Sequence, residues 1–331
     1  MMMETVLVTG GAGYIGSHVV LALRAAGRPV VVLDDLSTGS RASVPADVPL
    51  VVGDAGDAGL VDRVLRAQAV GTVMHFAGSV IVPESVGDPL KYYRNNTLAS
   101  HALIGASLAA GVRRFVFSST AAVYGNPPTP MVTEETPTAP LSPYGWSKLM
   151  VERMLSDLSA AHPDFHHVCL RYFNVAGADP AGRAGQTTAG ATHLIKVACE
   201  VVLGRRDRLT LFGTDYPTPD GTGLRDYIHV SDLADAHLLA LEHLERGGGG
   251  MVLNCGYGRG YSVRDVIGAL NRITGRSLPV EEAARRPGDP AELIADSTRL
   301  RRLLGWRPRF DDLDLIVRHA LDWERRGPRS P

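Results

Sequence analysis

Short apolar runs alternate with longer mixed stretches through the first half of the chain. Segments such as PVVVLDD and RRFVFSS are apolar at successive positions, the pattern of a strand covered on both faces. Strands are predicted at Thr5–Thr9, Val30–Asp34, Leu50–Val52, Thr72–Phe76, Arg114–Ser118 and His167–Tyr172. Helical periodicity fills the intervals at Ile15–Ala26, Asp57–Gln68, Pro89–Ala110 and Tyr144–Ala161. Strand and helix in strict alternation imply βαβ units, hence an α/β fold built on a parallel sheet.

Beyond Asn174 the texture changes to GADPAGRAGQTTAGAT, dense in Gly and Thr, followed by a predicted helix at His193–Leu203. Residues 1–175 are therefore expected to form the first domain. Segments 176–225 and 256–331 are expected to form a smaller α/β lobe. Between them, 226–255 carries a helix at Ser231–Leu244 and a strand at Met251–Cys255, which should return to the main sheet. Gly247–Gly250 reads as a connector.

Composition narrows the partners. Lys and Arg total 34 against 35 Asp and Glu, a net charge of −1. No clustered positive charge is present to grip a phosphate backbone, so neither nucleic acid nor a membrane surface is expected as partner. Cys169, Cys199 and Cys255 lie far apart without a CxxC pair, which fits reduced thiols better than disulfides or a metal centre. No metal is expected. Apolar runs are too short to span a bilayer, and strand and glycine turn begin by Thr5 where a secretion signal would lie. Met1–Met3 read as start-site residues, and the expectation is a cytoplasmic protein.

Candidate chemistry begins in TVLVTGGAGYIGSHVV. Gly10, Gly13 and Gly16 end a strand and open a helix. There glycine turns the chain tightly, lets backbone approach a pyrophosphate and lets the helix pack on the strand. Asp34 ends the next strand, where a carboxylate accepts from ribose hydroxyls; with Asp35 it disfavours a 2′-phosphate, so NAD is expected over NADP. The resulting fold class is a Rossmann-type doubly wound sheet. Asp54 reads as an adenine contact or a turn carboxylate, and Phe76, Ala77 and Gly78 as lining of the cofactor cleft.

The second centre is SPYGWSKLMVE. Tyr144 and Lys148 stand four apart, on one face of a helix. A phenol titrates near 10, and a neighbouring ammonium and the positive nicotinamide ring should both favour the phenolate a general base needs. Ser118, Ser119 and Thr120 sit at the carboxyl end of the fifth strand, the edge where open α/β sheets bind ligands. Thr120 reads as a strand-end cap or as the hydroxyl that passes a proton to Tyr144.

TGGAGYIGSH, HFAG, PESVGDPLKYY, FSSTAAVYG, SPYGWSK, LRYFNVAGA and FGTDYPTPDGTGLRDYIHVSDLADAH together resemble the UDP-glucose 4-epimerases. These are extended short-chain dehydrogenase/reductase-type enzymes of the NAD-dependent epimerase/dehydratase family. The resemblance spans nearly the whole chain and implies a tightly held NAD that is not consumed. It implies Tyr144 as base and acid at sugar O4, Lys148 on the nicotinamide ribose, and Thr120 orienting O4. It adds Tyr14, Ile15, Ala55, Asn95, Ser118 and Tyr172 to the cofactor contacts. To a UDP-hexose substrate it assigns Asn174, His193 and Leu194 near the diphosphate or sugar, Leu211, Phe212 and Tyr227 in the pocket, and Arg225, Arg286 and Asp289 on the diphosphate and ribose. Leu293 falls where relatives control access of N-acetylated sugars, leaving acceptance of those sugars and of pentoses open. Val80 replaces a lysine of certain members. A homodimer through the helices at Pro89–Ala110 and Tyr144–Ala161 is also implied.

Two other readings stay in view. A nucleotide-sugar 4,6-dehydratase shares the fold and the Tyr–Lys pair but needs acidic residues after the strand-end Thr, where this chain has Ala121 and Ala122. A non-enzymatic NAD-sensing protein has no need of the pair. Arg225 also has a structural alternative, an ion pair with Asp226 or Asp232.

Overall fold

Alternation along the strands decides which side of the sheet each residue packs on. In this computed structural model, which describes residues 4–188, 190–286 and 289–327, seven parallel strands form the main sheet. They are β1 (Thr5–Thr9), β2 (Val30–Asp34), β3 (Leu50–Val52), β4 (Val70–His75), β5 (Arg114–Thr120), β6 (His166–Tyr172) and β7 (Met251–Cys255). Their spatial order is β7-β6-β5-β4-β1-β2-β3, so the chain reverses direction across the sheet between β1 and β4, the crevice where such folds bind ligands.

Val6, Val8, Val32, Met74, Val116 and Val168 face one core. Leu7, Val31, Leu33, Val73, Phe115 and Phe117 face the other. Helices α1 (Tyr14–Ala25) and α6 (Val230–Glu245) cover the first core through Val19, Val20, Leu233 and Ala240. Helices α2 (Ala58–Ala67), α3 (Ala99–Ala109) and α4 (Pro143–Ala161) cover the second through Val61, Leu103, Val151 and Leu155. The doubly apolar runs of the sequence thus become strands buried on both sides.

One predicted helix is not continuous. Pro89–Ala110 divides into Pro89–Tyr92, a π-helical turn at Tyr93–Leu98, and α3. The wider turn carries Asn96, whose buried amide accepts from Ser79 N (2.7 Å) and donates to Ser147 Oγ (2.9 Å). The hydrophobic period carries no trace of this widening, which serves a polar contact.

The smaller lobe contains α5 (Leu194–Val202), α7 (Val263–Thr274), α8 (Leu313–Arg326) and a second sheet. In that sheet Leu224–His229 pairs with Gly260–Ser262, Glu292–Ala295 and Asn174–Ala176, while Met131–Val132 joins the far side of Glu292–Ala295. A separate ladder joins Leu209–Phe212 to Val280–Ala283. Asp226 turns inward and holds the sheet together, accepting from Tyr257 N (2.9 Å), Gly258 N (2.9 Å) and Ala295 N (3.2 Å). No helix among the described residues is long and apolar enough to cross a membrane.

Candidate active site

The glycine turn joins β1 to α1 with no room for side chains. Gly10 has φ of +71°, and a Cβ there would stand 2.5 Å from Ala77 N; one at Gly16 would stand 2.2 Å from Gly10 O. A Cβ at Gly13 would meet only Gly10 O, at 3.2 Å, so its bare backbone serves what lies outside the turn. Gly13 is the N-cap of α1, without side-chain capping and with no acid in the first turn. Free N–H groups and the positive helix end suit an anion.

Beside the turn, Asp34 accepts from Ala12 N and Leu36 N, both at 2.8 Å, and burial raises its pKa. Leu36 sits at φ of +60°, a strained position for a branched residue that the Asp34 contact holds. Each carboxylate oxygen keeps a second lone pair for a ribose hydroxyl. The residues present therefore fit an NAD.

Other expected cofactor residues surround this edge in different ways. Asp35 is exposed and closes a local turn onto Ser37 N (2.9 Å). Asp54 does the same to Gly56 N (2.7 Å) through Oδ1, and Ala55 is buried in the second core. Ile15 packs against the first core, and Tyr14 donates its hydroxyl to Gly177 O at 2.7 Å, tying α1 to the smaller lobe. Phe76 packs against the His237 ring at 4.8 Å. Gly78 has φ of +153°, and a Cβ there would come 2.8 Å from Asn96 Oδ1 and 3.8 Å from Lys148 Nζ. Asn95 is exposed and reaches Ser79 Oγ at 3.1 Å, whereas Asn96 holds the Ser79 backbone. The doublet Asn95-Asn96 inside an apolar helical stretch was the one sequence signal for Asn96.

The catalytic candidates converge where β5 ends. Ser142 caps α4 by accepting from Gly145 N at 3.2 Å, and Pro143 opens the first turn. Tyr144 and Lys148 then face the sheet, both buried. Lys148 Nζ donates to Ser118 O at 3.0 Å, and the Ser118 hydroxyl bonds the Tyr172 hydroxyl. Thr120 Oγ1 accepts from Ala122 N at 3.1 Å and lies beside the Tyr144 phenol, whose pKa it lowers. The bond to Ala122 N makes it the strand-end cap, and it leaves the hydroxyl next to Tyr144.

The electrostatics of this pair are set first by burial. Burial raises the Tyr144 pKa, opposed by the Thr120 hydroxyl, and burial also lowers Lys148 from 10.5 to about 8. The ammonium does not by itself bring the phenol down.

One cleft is lined by Tyr14, Asn174, Gly177, His193, Leu194 and Tyr227, from both lobes. His193 heads α5 without capping it; its Nδ1 meets Gln186 Nε2 at 2.9 Å. Leu211 is fully buried, so the strand presents Phe212, and the Arg286 guanidinium lies 3.8 Å over that ring. Arg225 pairs with Asp289 at 3.8 Å rather than with Asp226 or Asp232. Arg285 instead pairs with Asp215 at 2.7 Å and stacks on Tyr216. Leu293 packs with Ala121, Tyr124 and Phe173 as an apolar wall.

Residues 6–256 match the NAD dependent epimerase/dehydratase family. The chain belongs to that family. It is 63% identical to the UDP-glucose 4-epimerase of Azospirillum brasilense over 320 residues, 97% of this chain and 92% of the relative. The crystal structure of UDP-glucose 4-epimerase from Brucella ovis in complex with NAD matches with a TM-score of 0.93 at 44% identity, covering 96% of this chain and 98% of that one. The enzyme from Bifidobacterium longum in complex with NAD+ and UDP matches with a TM-score of 0.94 at 38% identity, covering 98% and 99%. Family membership and the bare glycine backbone agree on the nucleotide cleft, and Tyr144, Lys148 and Thr120 stand at its edge.

Proposed function

We propose that the chain interconverts UDP-glucose and UDP-galactose through transient oxidation at sugar C4, with NAD held in the glycine cleft. The observation that carries this reading is the meeting of Tyr144, Thr120 and Lys148 at the end of β5, beside that cleft. Bound there, NAD supplies the two-electron redox chemistry at C4.

The chain's own groups do the rest. Gly10, Gly13 and Gly16 leave backbone for the pyrophosphate, Asp34 takes the ribose hydroxyls, and Lys148 holds the nicotinamide ribose. Tyr144 takes the O4 proton and later returns it, with Thr120 orienting O4 and relaying the proton. Arg286 and Phe212 hold the uridine end, with Arg225 and Asp289 at the diphosphate and ribose. Around the sugar, Ala121, Ala122 and Leu293 offer no polar grip, which lets a 4-keto sugar turn over while its nucleotide stays fixed. The same two alanines supply no acid or base for removing water.

Incubating the purified protein with UDP-galactose, without added oxidant, tests the reading. UDP-glucose should accumulate to equilibrium. Loss of water would favour dehydration, and inertness with NAD bound would favour a sensing role. Parallel reactions with UDP-GalNAc and UDP-xylose define the sugar breadth.

The partner we assign to the remaining apolar surface is a second copy of the chain. Val86, Leu90, Leu98, Trp146 and Met150 are exposed on Val82–Gly87, Pro89–Tyr92, the π turn and α4, with Leu90 75% exposed. Thr97 Oγ1 touches Met150 Sδ at 4.0 Å, so the π turn and α4 adjoin on this surface. Three buried, unpaired cysteines suit a reducing compartment, and we place the enzyme in the cytoplasm.

A further inference from the structure

Helix α4 carries a third buried polar residue in register with the first two. Tyr144, Lys148 and Glu152 are spaced four apart, and all three are buried on the face turned to the sheet. Glu152 meets Arg171 of β6 through the full guanidinium fork: Nε to Oε1 at 3.0 Å and Nη2 to Oε2 at 2.6 Å. Ser119 of β5 donates its hydroxyl to Glu152 Oε1.

The partners form a row across the sheet. Ser119, Arg171 and Asn254 are aligned neighbours on β5, β6 and β7. Their side chains share the parity of Phe117, Cys169 and Val252, the face that α4 covers. Arg171 Nη1 donates to the Tyr124 hydroxyl at 3.0 Å, and that hydroxyl donates to Asn254 Oδ1 at 2.6 Å. Asn254 in turn is fixed by Glu134, which accepts from Asn254 N at 2.7 Å, and by Val132 O.

This row lies immediately next to the reacting one. Ser119 stands between Ser118, whose carbonyl takes Lys148 Nζ, and Thr120, whose hydroxyl meets the Tyr144 phenol. Arg171 stands beside Tyr172, which bonds Ser118. A buried ion pair of this kind is a poor source of stability, since desolvation offsets its attraction and apolar replacements are often as stable. What it does provide is a fixed geometry, because the two-pronged fork allows one mutual placement of helix and strand.

We propose that Glu152 and Arg171 are positioning residues that set the height of α4 over β5, and thereby place Tyr144 and Lys148 against Thr120 and Ser118. The proposal rests on the epimerase reading above. It assigns to this pair a share of the turnover rate without contact to substrate or cofactor.

Two variants test it alongside the wild type, with UDP-galactose as substrate and at temperatures well below unfolding. Arg171→Lys keeps the charge and loses the fork. Glu152→Leu combined with Arg171→Met removes both charges and keeps an apolar contact. Each should lower kcat by about tenfold or more while KM stays within about twofold and bound NAD is unchanged, the split expected when transition-state alignment alone is lost. Either folded variant at wild-type kcat overturns the positioning role. Rates that fall only in step with the unfolded fraction overturn it too. A wild type without turnover overturns the epimerase reading and the positioning role with it, so the two failures are told apart by the wild-type control.

Discussion

Lys148 is buried beneath Gly78 and against the Phe117 ring, with Nζ 4.9 Å from the ring centroid, and its charge is retained only against desolvation. Its pKa drops from 10.5 to about 8. Between those values the unfolded chain keeps a proton that the folded chain has shed, so this group's contribution to stability rises with pH across that interval. Below about pH 8 the full penalty is present. For the NAD-free chain, Lys148→Met should therefore melt higher than the wild type at pH 7, with the gap closing towards pH 10; calorimetry showing a gap independent of pH would contradict this. Tyr144, Lys148 and the glycines were legible in the sequence because their spacing and their place after strands carry the signal. Asn96, Glu152 and Arg171 were not, because their partners are set by cross-strand register and by a π turn that no local pattern encodes. Asp54 was legible as a residue with two roles, and its bond to Gly56 N shows that it closes a turn.

At the scale of elements, β1, β2, β3 and β7 fall where the apolar runs end, since Gly, Pro or Asp bounds each one. Met131–Val132 gives no sequence signal, being two residues long and held by non-local contacts: pairing with Ile294 and Ala295, and burial of Val132. The connection from β5 thus reaches into the smaller lobe, next to Leu293 and Ala295, and joins the strand that carries Thr120 to that lobe. Asp226 is the corresponding fixture inside that lobe. Its carboxylate serves three backbone N–H groups on two other segments. Asp226→Ala would leave those donors buried and unpaired, and the expected loss is about 2–4 kcal/mol. A urea midpoint unchanged from wild type would show that the lobe does not depend on this contact.

Over the whole molecule, one sheet edge and one lobe meet at a nucleotide cleft, while the opposite flank of α4 remains apolar and exposed. Leu90→Asp with Trp146→Asp should convert the proposed dimer to a monomer in light scattering without loss of thermal stability in the protomer; a wild type that is already monomeric would refute the assembly. Helix α4 thus faces the sheet with Tyr144 and Lys148 and exposes Trp146 and Met150 on the proposed dimer surface. The account as a whole turns on the Tyr144 hydroxyl as the group that takes and returns the O4 proton. Its most direct test is the rate of UDP-galactose conversion by Tyr144→Phe, with bound NAD quantified in the same sample. The account predicts a fall of about 100-fold or more at unchanged NAD content, and a variant that kept most of the wild-type rate would contradict it.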